Sequence, residues 1–467
     1  MRLRRALERP TAALAVATIA VYLLVVVGAT ASLADAAAAC SSWPACSGSL
    51  TEPAVAIAIG HRVLAALAGL AVLAAVVVIF RSETPRSVKA TGVIALVLYP
   101  TQIAFGALLA TGLSSLPVPG LHLAIGLTIF ATLVLSLAWQ LEYETGGTDE
   151  PLTQDDVEPV SADDEPAESP TPLAERPFTE RLKLRTFAYF RLMKPRLMWL
   201  LCLVAAAAMA LAAGSALGVR TIVFTLGGGV LAIGASGTFN HVLEREKDKK
   251  MSRTNDRPMA THQIPARNAI VFGLVLTVLS IGAFLQLNPL TAALGLTAII
   301  FYSIIYTLLL KPNTVQNTVI GGAAGSLPAL IGWAAVTGRI GVAGVMLATV
   351  IFVWTPAHFY NLALAYKEDY ARGGFPMMPV VRGETTTRKH ILLWIGTTLA
   401  ATTVLIWLTR LGWVAAVSTT ALGAVFIWAA IKLHREQTEQ AAFRAFHASN
   451  AYLGMLLFAI VVDALVF

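Results

Sequence analysis

Charge is what this chain has least of. Of its 467 residues 13% are Asp, Glu, Lys or Arg and 57% are hydrophobic, with a mean hydropathy of +0.71. A water-soluble domain carries about a quarter charged residues, so that class is excluded. Cysteine is nearly absent: Cys40, Cys46 and Cys202 are the three. No stretch gathers the basic residues into one domain. The formal charge of +7 is spread over many short loops, which excludes a nucleic-acid partner. One stretch lacks basic residues altogether. From Glu142 to Glu175 there are twelve Asp or Glu and no Lys or Arg. Such a segment buries little apolar surface and reads as a disordered tether suited to a salty cytoplasm.

What is abundant is long apolar runs. About thirteen reach the ~20 residues that span a bilayer, so the fold class is all-α and polytopic. The chain divides into a four-helix membrane domain over 1–141, the acidic linker over 142–185 and a nine-helix bundle over 186–467. The apolar run from Thr11 to Ala31 exceeds the 7–15 residues of a signal peptide's apolar region, so a retained first helix is expected. Lys and Arg collect in alternate loops: Arg2 to Arg9, Arg81 to Lys89, 176–196, 245–267, Lys311, 367–389 and 432–444. The loops between hold only Arg220, Arg339 and Arg410. The positive-inside rule then puts the N-terminus and the long charged loops in the cytoplasm of a multi-pass cell-membrane protein. Cys40 and Cys46 fall outside, where a disulfide can form.

The chemistry concentrates in those inner loops. Asn240, Glu244 and Asp248 stand at i, i+4 and i+8, one face of a helix. Mg2+ is usually held by one or two carboxylates plus substrate phosphates. Basic residues nearby suit an anion: Lys194 and Arg196 before the first span of the bundle, Arg253 and Arg257 after Asp248, then Lys311 and Lys367. His358 and Asn361 lie at membrane depth, where polar groups are functional candidates. Asp369 ends a second acidic cluster, and Tyr302 and Tyr306 precede Lys311. The pattern points to a membrane enzyme that handles a pyrophosphate.

These segments resemble the UbiA superfamily of intramembrane prenyltransferases, and within it the branch that prenylates haem. The resemblance rests on Asn240 to Asp248, Met251 to Thr254, Arg257 and Pro258, Gln316 to Gly325, Pro356 to Phe359 and Asp369 to Val380. Glu244 and Glu246 depart from it, standing where that branch usually has shorter acids. The resemblance implies transfer of a farnesyl group from farnesyl diphosphate to a vinyl carbon of haem B, with water completing the hydroxyethylfarnesyl side chain of haem O. It implies Mg2+ on Asn240, Glu244, Asp248 and Asp369, with diphosphate on Lys194, Arg196, Arg253, Arg257, Lys311 and Lys367. Tyr302 and Tyr306 would face an allylic cation or be ordinary packing. His358 would contact haem or orient substrate.

In the first domain, Cys40 to Cys46 with Trp43 and Pro44, His61 and Arg62, Gln102, Gly106 and His122 resemble one half of a haem A synthase. Ala58 departs from it, because that family carries a glutamate three residues before the histidine. The resemblance implies haem held between His61 and His122, Arg62 near a propionate, and possible partnership with a haem A synthase or terminal-oxidase assembly. Other readings stay open: a quinone or lipid as prenyl acceptor, a haem-binding transport or electron-transfer protein, and a bifunctional maker of haem A.

Overall fold

The structure is a computed structural model that describes residues 9–31, 36, 39, 40, 42–46, 48–112, 117–159 and 177–466. Among the described residues there is no strand, and thirteen helices are long and apolar enough to cross a membrane. The fold is therefore all-helical and multi-pass, as the apolar runs predict. In order the helices are α1 (Pro10–Ala31), α2 (Pro53–Arg81), α3 (Arg86–Ala110), α4 (Val118–Thr145), α5 (Phe178–Leu192), α6 (Pro195–Ala213), α7 (Val219–Asp248) and α8 (Ala266–Leu285). Then come α9 (Pro289–Ile300), α10 (Asn317–Thr337), α11 (Val342–Ala365), α12 (Lys367–Arg372), α13 (Met378–Val381), α14 (Glu384–Thr409), α15 (Trp413–Glu436) and α16 (Glu439–Val466). α9 runs on into a π-helix over Phe301–Leu310. Several starts use proline at the first helical position, as at Pro53, Pro195 and Pro289. There its missing N–H costs nothing.

Two compact units result. One comprises residues 1–148 and 388–467, the other 149–387. This grouping differs from the expected 1–141, 142–185 and 186–467, because α14–α16 pack with α1–α4. Tyr22 of α1 donates to the Thr419 carbonyl of α15 at 3.2 Å. Lys389 at the start of α14 pairs with Glu142 of α4 at 2.6 Å, and Gln437 donates to the Thr145 carbonyl at 2.8 Å. Such partner choice is made by tertiary packing and leaves no mark in helix periodicity. Small residues let these backbones approach without a hydrophobic drive between helices.

The other unit is built on α5–α13. Its core joins Ala232 and Ala235 of α7, Leu276 and Phe284 of α8, Ala292 and Ile299 of α9 and Ile331 of α10. The acidic stretch is structured at both ends. α4 continues to Thr145, a 3-10 turn covers Gln154–Asp156, and α5 starts at Phe178. The middle of the expected tether, 160–176, lies outside the described residues.

Candidate active site

α7 has 30 residues, ~45 Å at 1.5 Å per residue. A hydrocarbon core is ~30 Å thick, so the helix is long enough for its polar last turns to emerge. Asn240, Glu244 and Asp248 lie there on one face, 1%, 4% and 1% exposed. Burial of two acids demands partners, and each has one. The π-helix after α9 runs beside this face. Thr307 accepts from the Asn240 amide at 3.1 Å, and Lys311 meets Glu244 at 2.6 Å. The shared spacing of four, Asn240 to Glu244 and Thr307 to Lys311, makes two rungs of a ladder. Arg257, on the turn that leaves α7, bonds both oxygens of Asp248 at 2.9 Å.

Lys194 closes the upper end. A Cβ at Gly237 would lie 2.8 Å from the Leu192 carbonyl oxygen and 3.2 Å from Lys194 Cγ, so only glycine lets the α5–α6 turn come this close. Lys194 itself has φ 55°, a left-handed backbone that side chains normally avoid. That conformation carries its ammonium to the Asn240 carbonyl oxygen and 3.3 Å from the Tyr302 hydroxyl. Burial pushes Lys194 down to about 7; Arg257 adds to this and Glu244 opposes it. Tyr302 and Tyr306 stack obliquely, centroids 5.6 Å apart, beside the cluster.

Other expected residues are placed differently. Asp369 is not an open ligand. Its Oδ1 accepts from the Ser252 amide at 3.0 Å, the Ser252 hydroxyl at 2.7 Å and Arg372, and its Oδ2 accepts from the Arg253 amide at 3.0 Å. Burial raises this carboxyl, and these donors outweigh it, holding it below the ordinary range. Asp369 thus ties the third inner loop to the first. Among the described residues no three His, Cys, Asp or Glu side chains form a metal-ligating group. The Arg253 guanidinium lies over Tyr366 and Tyr370, 4.7 and 5.3 Å from their centroids, and donates to the Tyr370 hydroxyl. Lys367 pairs with Glu384 at 2.6 Å. Arg196 is exposed on the first turn of α6. His358, buried on α11, stacks on Trp354 with centroids 4.3 Å apart.

Sequence reasoning missed Thr307, Lys247 and Phe375. The Phe375 ring carries Lys311 at 4.2 Å on its face and Lys247 at 4.3 Å. Lys247 sits one residue before Asp248 and Phe375 lies inside the Asp369 to Val380 motif, so both had a signal in the sequence, while Thr307 had none.

In the other unit Cys40 and Cys46 are bonded. Arg62 donates to the carbonyls of Cys40, Ser42, Pro44 and Ala45 at 2.9 to 3.2 Å. It caps that loop. His61 faces Gly28, where a Cβ would be 3.0 Å from the ring, and His122 faces Gly106 at 3.2 Å. The Nδ1 atoms of both histidines are buried without a partner. His122 Nε2 lies 3.3 Å from the Gln102 amide.

The site is thus an oxygen-donor face lined by lysines and an arginine at the end of a membrane helix. The model of the UbiA prenyltransferase family matches residues 200–457. The chain belongs to this family and is a prenyltransferase. A protoheme IX farnesyltransferase of Haloarcula marismortui is 62% identical over 459 residues, 97% of this chain and 98% of that one. Another, of Saccharopolyspora erythraea, is 41% identical over 283 residues, 60% of this chain and 90% of that one. A solved structure of digeranylgeranylglyceryl phosphate synthase is 14% identical, with TM-score 0.52, covering 61% of this chain and 99% of that one. That likeness shows the fold.

Proposed function

We propose that this prenyltransferase makes haem O. The C1–O bond of farnesyl diphosphate breaks and its electron pair leaves with diphosphate. A vinyl carbon of haem B bonds to the farnesyl C1, and water adds to the resulting cation and releases a proton, giving the hydroxyethylfarnesyl side chain. The observation that carries this reading is the 62% identity across nearly the full length of a protoheme IX farnesyltransferase. The site supports it in chemical terms. Asn240, Glu244 and Asp248 offer only oxygen donors on one buried face, which fits Mg2+ with a diphosphate completing its shell. Bound there, Mg2+ supplies positive charge to the leaving oxygens. Lys311 and Arg257 now neutralise Glu244 and Asp248. With a cation held by those carboxylates, Lys311 and Arg257 would be free to stabilise the departing diphosphate, as electrostatic catalysis requires. Lys194 joins them from the α5–α6 turn. Tyr302 and Tyr306 present ring faces where an allylic cation gains from them.

The alternation of basic loops supports a cytoplasmic N-terminus and a cytoplasmic active site. We further infer that His61 and His122 hold a haem, the fit resting on their unpartnered buried Nδ1 atoms and the glycines their rings face. Mass spectrometry of products from haem B, farnesyl diphosphate and Mg2+ tests the main reading. Haem O from the wild type, absent with Asp248→Ala, is the expected result. Folded wild-type protein that prenylates a quinone or lipid and never haem would sink it.

A further inference from the structure

The segment between α4 and α5 is acidic, yet its residues 149–158 lie across the inner loops of the prenyltransferase unit. Asp149 accepts from the amides of Thr385 and Thr386, both at 2.9 Å, and so caps the N-terminus of α14. The Leu152 amide donates to the Val380 carbonyl at 2.8 Å. Leu152 and Val157 pack into one apolar cluster with Met251, Tyr370, Phe375 and Val380. Arg372 donates to the Glu158 carbonyl at 3.4 Å. The segment passes so near that a Cβ on Gly374 would collide with the Gln154 amide, and one on Gly383 with Asp149. Both glycines also have positive φ, 64° and 80°. The loop between them is therefore shaped around this segment.

Phe375 links the segment to the chemistry. It belongs to the cluster against which Leu152 and Val157 pack, and its ring carries Lys311, the partner of Glu244. We propose that Asp149–Glu158 is a positioning strap of the active site, which fixes Phe375 and, through its ring, sets Lys311 opposite Glu244. This rests on the diphosphate site proposed above. The strap touches no substrate; it acts through Phe375. Its sequence signal is two apolar residues five apart in a run that is otherwise acidic and polar.

The test uses the full chain in detergent. Leu152→Asp combined with Val157→Asp puts charge into the cluster, Leu152→Ala is the mild form, and Leu152→Met is the conservative control. Hydrogen exchange is read at residues 373–381, and KM is measured separately for farnesyl diphosphate and haem B. The strap predicts faster exchange there and a KM for farnesyl diphosphate raised about tenfold in the double variant and about threefold in Leu152→Ala. KM for haem B and the unfolding temperature stay put, and Leu152→Met restores wild-type values. Unchanged exchange would show that the segment is not docked. Faster exchange with unchanged KM, or a uniform loss of activity tracking a lower unfolding temperature, would equally overturn the proposal. Should the double variant not fold, Leu152→Ala gives the same reading. Failure of the wild type to prenylate haem would refute the proposed function instead, while the exchange arm still reports on docking.

Discussion

Two groups of buried polar side chains, the acids near α7 and the histidines of α2 and α4, are satisfied in opposite ways. In the unit of α7, each acid of the site already has a cation: Glu244 has Lys311, Asp248 has Arg257, and Asp369 has Arg372. In the unit of α2 and α4, His61 and His122 keep an unpartnered buried Nδ1. A neutralised cluster is stable without ligand, and under the proposed function it would bind one by exchange: metal for ammonium on the carboxylate, phosphate for carboxylate on the ammonium. An unpartnered pair gains directly when a ligand arrives. The first site should therefore depend strongly on an added divalent cation and on pH near 7, and the second should not respond to that cation.

The largest expected effect breaks the exchange outright. Asp248→Ala removes a proposed ligand and leaves the partly buried Arg257 without its carboxylate. Turnover should fall by about three orders of magnitude, measured as haem O formed per minute, with most of the loss in kcat/KM. Next comes Gly237→Ala. Its methyl would press on the Leu192 carbonyl and move Lys194 away from Asn240. A displacement of ~1 Å costs up to about a hundredfold in rate. Steady-state assays should show that loss while the haem absorbance of the other unit is kept.

A smaller effect concerns pH. Burial holds Lys194 near 7 in the free site, and a bound diphosphate draws it back up. Binding therefore takes up a proton when the pH exceeds about 7. Affinity for farnesyl diphosphate should be flat below that pH and fall by up to about tenfold per unit above it. Titrations at several pH values check this, and Lys194→Met should flatten the profile. The smallest effect on transfer sharpens the contrast. His61→Ala or His122→Ala should abolish the absorbance of haem bound to the purified protein and leave prenyl transfer within about twofold. Loss of transfer in step with the haem band would mean the two sites are not independent.

Much of this was legible in the sequence, and for identifiable reasons. The thirteen spans follow from apolar run length alone, and the face of Asn240, Glu244 and Asp248 follows from helical periodicity. Lys194, Arg257 and Lys311 were legible as cations near an inner helix end, though not as partners of particular acids. Pairing is tertiary: Lys311 and Glu244 are 67 residues apart. The loop clamp made by Asp369 was not legible, because a carboxylate that clamps a loop and one that binds metal look alike in sequence. The loop cap made by Arg62 was hidden too, since the four carbonyls it meets carry no side-chain signature. The π-helix over Phe301–Leu310 was invisible because its residues would suit an α-helix equally well. The strap was hidden by composition, as twelve acids outweigh two apolar side chains in any averaged reading. The grouping of α14–α16 with α1–α4 rests on side-chain fits such as Tyr22 against Gly423, which no local pattern announces.

The most direct test of the exchange is calorimetric titration of a non-hydrolysable farnesyl diphosphate analogue, with and without Mg2+, into the wild type and Glu244→Gln. The account predicts tight binding by the wild type only with Mg2+, because without it Lys311 and Arg257 stay on their carboxylates. In Glu244→Gln, Lys311 is free from the start, so metal-free binding should strengthen and the gain from Mg2+ should shrink. Equal metal dependence in the two proteins would contradict it.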